Sequence, residues 1–342
     1  MTRTNIRLAL PSKGILQSGA MEFLKACGLK VFRPNPRQYA ATIPALPGVT
    51  VMFQRPGDIV VGVRQGTMDF GITGLDMLAE KGSRNGDQPI LTLHDALGFG
   101  SCTLNLAVPE EEPVQTMADL AKWAERLMGD GRSLRIATKF PIATGQFLEK
   151  FGISNVKLIT AEGTLEIAPA IGYADLIADL VSSGITLRDN HLRPLEDGEI
   201  LSSQAVLIAN RESLQNRPEV LAVARQLLEY IEAYQRGEAS NLVIANMRGR
   251  SAQEIVQAMA ERPTIGGLQG PTVAPVIPPP GSTDQWFSVS IVVQKANLMA
   301  AIAELRAIGG SGVIVSPVTY IFEEEPERYK AMLAALGEGV NG

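Results

Sequence analysis

Ile6-Arg-Leu-Ala-Leu10-Pro11-Ser12-Lys13-Gly14, followed by Ile15 to Cys27 and then Gly28, sets the pattern from which the architecture is read. Ile6 to Leu10 is a short apolar run of the buried-strand type, Pro11 to Gly14 a turn, and Ile15 to Cys27 an amphipathic helix closed by Gly28. Outward from this βα unit the pattern repeats. Val49 to Phe53 is strand-like, and Arg55-Pro56-Gly57-Asp58 opens a short helix to Gln65 with Pro in its first turn. Asp69 to Thr73 is a third strand, running into Gly74 and a helix from Leu75 to Glu80. Short strands alternating with helices predict a largely parallel α/β sheet.

A second α/β group follows Gly100: strands at Leu104 to Val108, Leu134 to Thr138 and Ala174 to Val181, with helices at Met117 to Met128 and Ile142 to Phe151. Thr116 to Asp119 has capping-box spacing with Asp in place of Glu. Ala205 to Ala209 is a further strand, and Pro218 to Gln235 a long helix. After Gly237 the segments Leu242 to Met247, Ala252 to Ala260, Thr272 to Val276, Phe287 to Val293, Asn297 to Ile308 and Val313 to Ile321 read β-α-β-β-α-β, the ferredoxin-like arrangement. The 342 residues also predict two or three domains.

Composition narrows the function. Apolar residues at 45% and charged residues at 20% can build ordinary cores. A net charge of −5 without a basic run leaves nucleic-acid binding without its usual electrostatic source. Two cysteines, Cys27 and Cys102, and two histidines, His94 and His191, are too few for a Cys/His zinc site, so any metal sits on oxygen ligands. The longest uncharged stretch, Pro263 to Thr283, carries six prolines and four glycines and cannot form a spanning helix, which argues against a membrane. Arg3 and Arg7 flank an apolar run that stops at Pro11, far short of a signal-peptide core, so a cytoplasmic chain is expected.

The segment richest in chemistry is Glu166 to Leu187, ending Asp179-Leu-Val-Ser-Ser-Gly184-Ile-Thr186. A tight turn of this composition can aim backbone N–H groups and hydroxyls at one phosphate, with glycine allowing close approach. The carboxylate just upstream can accept from sugar hydroxyls or help hold Mg²⁺. On the turn alone, an ordinary loop with Asp179 as a cap or solvated charge fits as well. Elsewhere Lys13 and Arg55 are candidate phosphate cations, Asp69 a candidate cleft carboxylate and Asp76 a helix cap. Both histidines and both cysteines read as structural, and Trp123 and Trp286 as packing residues.

Glu166, Gly172, Ala174, Ile177, Asp179, Leu180, Ser183, Gly184, Thr186 and Leu187 together resemble the signature region of the ATP phosphoribosyltransferases, which catalyse the first step of histidine biosynthesis. Leu10 to Gly14, Arg55 to Ile59, Asp69 to Asp76 and Arg135 to Pro141 are similar to further stretches of that family, and the C-terminal third resembles the regulatory domain of its long form. The resemblance implies a bilobal core like the type II periplasmic binding proteins plus a ferredoxin-like regulatory domain. Lobe I would comprise 1–98 and 182–236, lobe II 99–181, the regulatory domain 237–325, and a tail 326–342. It implies condensation of ATP with 5-phosphoribosyl 1-diphosphate, inhibition by histidine, hexamers and a Mg²⁺ cofactor. By the same resemblance Asp179, Glu166 and Lys13 are catalytic, with Glu166 and Asp179 holding the metal. Asp179, Val181, Ser182, Ser183, Gly184, Ile185 and Thr186 would bind phosphoribosyl diphosphate, and Lys13, Gly14, Arg55, Asp69, Gly74 and Leu75 would bind ATP. Ile15 and Thr103 stand where many members carry Arg and another basic residue, and Ser290 where many long-form members carry His.

Two other classes compete with this reading. A small-molecule-binding module could share the bilobal fold. A nicotinamide oxidoreductase would need Gly-x-Gly-x-x-Gly after the first strand, where this chain has Pro-Ser-Lys-Gly.

Overall fold

The computed structural model describes residues 4–35, 37–82, 88–161, 163–277 and 285–337. Residues 278–283 of the Pro/Gly-rich stretch and the last five of the expected tail lie outside that range. The chain divides into two compact units, Met1–Arg225 with Arg328–Gly342, and Gln226–Glu327.

The first unit opens with β1 (Ile6–Pro11), α1 (Gly14–Ala26), β2 (Ala40–Thr42), β3 (Val49–Gln54), α2 (Pro56–Arg64), β4 (Phe70–Gly74), α3 (Leu75–Lys81) and β5 (Ile90–His94). A second sheet follows from β6 (Cys102–Pro109), α4 (Met117–Gly129), β7 (Leu134–Thr138), α5 (Pro141–Lys150), β8 (Val156–Thr160), β9 (Leu176–Val181), α6 (Ile185–Asp189) and β10 (Leu192–Ser203). The chain then returns through β11 (Ala205–Asn210), α7 (Arg211–Asn216) and α8 (Pro218–Glu238).

The first sheet runs β2-β3-β1-β4-β11-β5 and the second β10-β6-β9-β7-β8. Within them β3, β1 and β4 are mutually parallel, as are β8, β7 and β9. β4 and β11 are buried along their whole lengths because both faces are covered, and their sequences are correspondingly continuous in apolar character. β3 alternates instead, with Val49, Val51 and Phe53 turned into the core. Thr116 and Asp119 form the expected capping box at α4, each accepting the other's backbone N–H at 3.3 Å.

The chain passes between the sheets at 95–101 and again at Gln204. The two crossings lie side by side: Ala205 N–H donates to Phe99 C=O at 2.9 Å, and Leu97 N–H to Ala205 C=O at 3.1 Å. The return to the first sheet thus comes at Gln204 and not at 182, because β10 pairs antiparallel with β6. Together the sheets make the bilobal core expected from the sequence.

The second unit carries β12 (Ser240–Arg248), α9 (Ala252–Ala260), β13 (Thr272–Val276), β14 (Trp286–Gln294), α10 (Leu298–Ala307) and β15 (Gly310–Pro317), with sheet order β13-β14-β12-β15. This is the ferredoxin-like module, with Val243, Ala245, Met247, Val289 and Ile291 packed beneath α9 and α10. Its last strand ends at Pro317, short of the expected Ile321, whose N–H bonds instead to Ala233 C=O at 3.0 Å. α8 runs unbroken through 237, and Tyr230 meets the Phe322 ring edge-on, so the second half of that helix belongs to this unit. α11 (Glu327–Leu336) closes the described chain. No helix among the described residues is long and apolar enough to cross a membrane.

Close packing of α2 on β4 requires Gly71: a Cβ there would collide with Ile59 Cγ2 and press on Val63 Cγ2 at 3.2 Å. Gly71→Ala is expected to cost about 1–3 kcal/mol by overpacking, read from chemical denaturation.

Candidate active site

Parallel strands joined by helices place every βα loop at one edge of the sheet, where α/β proteins bind ligands. On the first sheet these loops are Pro11 to Gly14 after β1, Arg55 after β3, and Gly74-Leu75 after β4, and the three strands are neighbours. Lys13 is exposed at the N-cap of α1 and makes no capping bond with its side chain. Gly14 follows in the left-handed region (φ 74°), with open space where a Cβ would stand. Arg55 is exposed at the N-cap of α2, and no ion pair joins it to Asp58. Gly74 is buried, and a Cβ would strike Asp76 Oδ1. Ile15 is 73% exposed beside these loops, an apolar side chain where many relatives in the resembling family carry a guanidinium.

Asp69 does not join this group, which corrects its assignment to nucleotide binding. It precedes β4 at the opposite edge of the sheet and is fully buried. Its carboxylate accepts from Arg217 Nη1 and from Arg7 N–H, each at 2.8 Å. A charge enclosed this way is structural. Asp76 is likewise not a simple cap: buried in the first turn of α3, it accepts from Ser203 Oγ at 2.7 Å, while its own N–H donates back to that oxygen at 3.0 Å. Burial raises its carboxyl above the ordinary range. It also raises the Cys102 thiol, and the Asp76 charge adds to that shift. Cys27 is inert in the core, its thiol pushed up to about 12 by desolvation.

On the second sheet the neighbouring parallel strands β8, β7 and β9 end at Thr160, Thr138 and Val181. Beyond β8 the chain reaches Thr164, a non-glycine residue held in the left-handed region (φ 48°), at a cost of about 1–2 kcal/mol. That turn presents Glu166 in a single 3-10 turn, Leu165–Ile167. A depression of about 220 Å³ lies alongside, lined by Ala161, Leu165, Ile167, Ile171 and Tyr173 among others.

Asp179 sits near the end of β9, opposite Asn105 of β6. Desolvation raises its carboxyl above the usual Asp range. The Leu180 N–H, donating at 2.8 Å, and the charge of Lys139 pull it back, while Glu166 pushes it further up. β7 and β9 pair in register at Thr138 and Ala178, so Lys139 and Asp179 follow at adjacent positions, and the charges of Lys139 and Glu166 both act on Asp179. Lys139, directly after β7, lies in the Arg135 to Pro141 stretch that resembles the family, although the sequence reading assigns it no role at the site; its place at the end of a parallel strand is the further signal.

Past Val181 the turn Ser182-Ser183-Gly184 is exposed or half-buried, with Gly184 left-handed (φ 70°) ahead of α6. Ile185 and Thr186 are exposed in the first turn of that helix. Thr103, where a basic residue is common in the resembling family, pairs with Val181 across the strands. Its hydroxyl donates to Val181 C=O at 3.4 Å and accepts from Asn105 Nδ2 at 2.6 Å, bracing the strand end. His94 is buried, its Nδ1 accepting the Ala96 N–H at 3.2 Å, and belongs to neither loop group.

Two sheets, each with its parallel strands ending in loops at one edge, the second sheet's loops carrying Glu166, Asp179 and Lys139, define a bilobal α/β core with an appended ferredoxin-like module. Residues 55–233 match the family model described as ATP phosphoribosyltransferase, and residues 238–320 match that of the HisG C-terminal domain. The chain is 44% identical over 343 residues to ATP phosphoribosyltransferase 1, chloroplastic, of Arabidopsis thaliana, covering 98% of this chain and 82% of that one. It is 35% identical to ATP phosphoribosyltransferase of Caulobacter vibrioides, covering 94% of each. Among solved structures, a chain of the ATP phosphoribosyl transferase (HisG:HisZ) complex from Thermotoga maritima aligns with TM-score 0.51 and 27% identity, over 66% of this chain and 98% of that one. The chain belongs to the ATP phosphoribosyltransferase family, in its long form. It is a glycosyltransferase that condenses ATP with 5-phosphoribosyl 1-diphosphate in the first step of histidine biosynthesis, releasing pyrophosphate.

The structural role of Asp69 has a direct test. Arg217→Met leaves a buried carboxylate without its cation and is expected to cost about 3–5 kcal/mol in denaturation experiments. The KM for ATP, measured where the variant is folded, is expected to stay at the parent value.

Proposed function

We propose that phosphoribosyl diphosphate is held by the second-sheet group and ATP by the first-sheet loops. The observation that carries this reading is the placement of Lys139 and Asp179 side by side at the ends of β7 and β9, with the charge of Glu166, in the 3-10 turn after β8, acting on Asp179 as well. Asp179, Val181, Ser182, Ser183, Gly184, Ile185 and Thr186 take the phosphorylated sugar, with Gly184 giving the backbone close approach to the 5-phosphate. Lys13, Gly14, Arg55, Gly74 and Leu75 take the nucleotide.

Glu166 and Asp179 suit a Mg²⁺ ion. Both are hard oxygen donors, and the repulsion between them and the desolvation of Asp179 are relieved by a cation. Among the described residues no third His, Cys, Asp or Glu joins them. The remaining positions fall to substrate phosphates and water, as is usual for Mg²⁺. Bound there, the ion would neutralise charge on the departing pyrophosphate.

In the reaction a bond forms from adenine N1 to the anomeric carbon while the bond from that carbon to the pyrophosphate oxygen breaks. Positive charge grows on the sugar and negative charge on the leaving group. Asp179 faces the sugar, and Lys139 and Lys13 supply cationic donors; the turn at 182–186 fixes the carbon against the nucleophile. The chain is read as cytoplasmic.

The test is turnover by Asp179→Asn. Because burial raises the carboxyl pKa, the stability this group contributes is present at low pH and lost as pH rises through its folded value. Above that folded value the ionised group weighs against the fold, so Asn is expected to leave the Tm there unchanged or higher. Turnover, followed as pyrophosphate release from ATP and phosphoribosyl diphosphate, is expected to fall by about 10²–10³. Full activity in a folded variant would remove Asp179 from the site.

We further propose that the ferredoxin-like module senses histidine and that the chain forms hexamers, as its match to the long-form C-terminal domain supports. Ser290 lies on β14 between Ile244 and Thr272, so a hydroxyl replaces the imidazole common in the family. Inhibition requires histidine to bind a less active state better, a coupling of about 1–3 kcal/mol. Turnover is therefore expected to fall as histidine is titrated in, with the KM for ATP or phosphoribosyl diphosphate shifting about 5- to 150-fold. An unchanged rate in millimolar histidine would refute the assignment.

A further inference from the structure

Glu80 is an acidic residue that neither the substrate loops nor the metal pair employs. It lies on α3, which follows β4 of the first sheet, and is only 6% exposed. Its carboxylate reaches the start of α5, which follows β7 of the second sheet. Ile142 N–H donates to Oε1 and Oε2, both at 3.1 Å, and Ala143 N–H to Oε2 at 3.0 Å.

The first turn of α5 depends on these bonds. A helix start leaves its first N–H groups without partners inside the helix. At α5 the N-cap Phe140 offers no side-chain acceptor, Pro141 has no N–H, and Thr144 N–H already bonds to Phe140 C=O at 2.9 Å. The two donors that remain, on Ile142 and Ala143, both go to Glu80, where a negative charge also favours the helix N-terminus. Upstream, Phe140 N–H donates to Thr138 Oγ1 at 2.9 Å, and the Phe140 ring is buried against Leu104 and Ala143, with Met77 of α3 alongside. The turn 138–143 is thus clamped on both sides of Lys139, whose charge acts on Asp179. Desolvation raises the Glu80 carboxyl, and the Ala143 and Ile142 N–H groups oppose that shift, as a group serving as a buried cap would show.

We propose that Glu80 is a positioning residue for phosphoribosyl transfer: by capping α5 from the first lobe it fixes Lys139 opposite Asp179 in the second. The inference rests on the reading of Lys139 and Asp179 given above. It adds that competence of the carboxylate site depends on α3, the helix that begins at the nucleotide loop Gly74-Leu75.

A double-mutant cycle in the full-length enzyme tests it, using Glu80→Gln, Lys139→Met and both together. Glu80→Gln keeps the size but loses the charge and one acceptor oxygen. It is expected to lower kcat/KM for phosphoribosyl diphosphate by about 10- to 100-fold while the KM for ATP moves less than about twofold. With Lys139→Met already present, the same change is expected to alter kcat/KM by less than about twofold, although its effect on the Tm is the same in both backgrounds. A merely structural Glu80 would give kinetic losses that multiply, and that result overturns the inference, as does an unimpaired Glu80→Gln enzyme. If Lys139→Met alone is fully active, the reading of the site itself fails and the inference with it. Should Glu80→Gln not fold, Glu80→Asp, which retains the charge on a shorter arm, replaces it in the same cycle with the same outcomes.

Discussion

The parallel pairing of β1 with β3 and β4, repeated by β7 with β8 and β9, is the constraint on which the rest of the catalytic core depends. Parallel neighbours cannot be joined by a hairpin; each connection must travel back along the sheet, carried here by α1, α2 and α5 and, between β8 and β9, by the segment with the 3-10 turn at Leu165–Ile167. All the loops leaving those strands then gather at one edge, with their backbone N–H groups pointing away from the ladder. Lys13, Arg55 and Leu75 become neighbours in this way although they are spread along the sequence, and so do Lys139, Glu166 and Asp179.

The two sheets are joined by more than the paired chain crossings. Asp76 and Glu80, one turn apart on the short helix α3, are both buried and both have carboxyls raised by desolvation. One takes the hydroxyl of Ser203 at the end of β10, and the other takes the amide start of α5. Each pairing is enthalpically good but removes a charge from water, so neither recommends itself on stability alone. The same holds for Asp179, whose burial disfavours its ionised form. Thr164, held left-handed beside Glu166, adds backbone strain at the same place. These unfavourable terms are spread over α3 of the first lobe and the strand ends of the second, and the rest of the core supplies the stability that offsets them.

Much of the fold was legible because its strands are apolar along their length and its helices begin and end with recognisable chemistry, as at Thr116 and Gly28. β10 was not. Leu192–Ser203 contains Pro194, Glu196, Asp197, Gly198 and Glu199, a composition that reads as loop. It is a strand because it lies at a sheet edge, where one side of the ladder needs no partner and charged residues are tolerated. That one strand also decides where the chain returns to the first sheet.

The sequence by itself determined the alternation of strands and helices, the β-α-β-β-α-β order of the C-terminal module and the family, because these rest on local periodicity and on a signature read in one continuous segment. Only the tertiary structure decided which charges meet. Asp69 and Asp76 flank the same short strand, β4, yet one is locked to Arg217 at the far edge and the other to Ser203 at the crossing. Lys139 and Glu80 gained their significance from partners on other strands and helices. The physical reason is range. Propensity and capping act over a few residues, whereas the field at a carboxylate is set by whatever packing brings within a few ångströms, however distant along the chain.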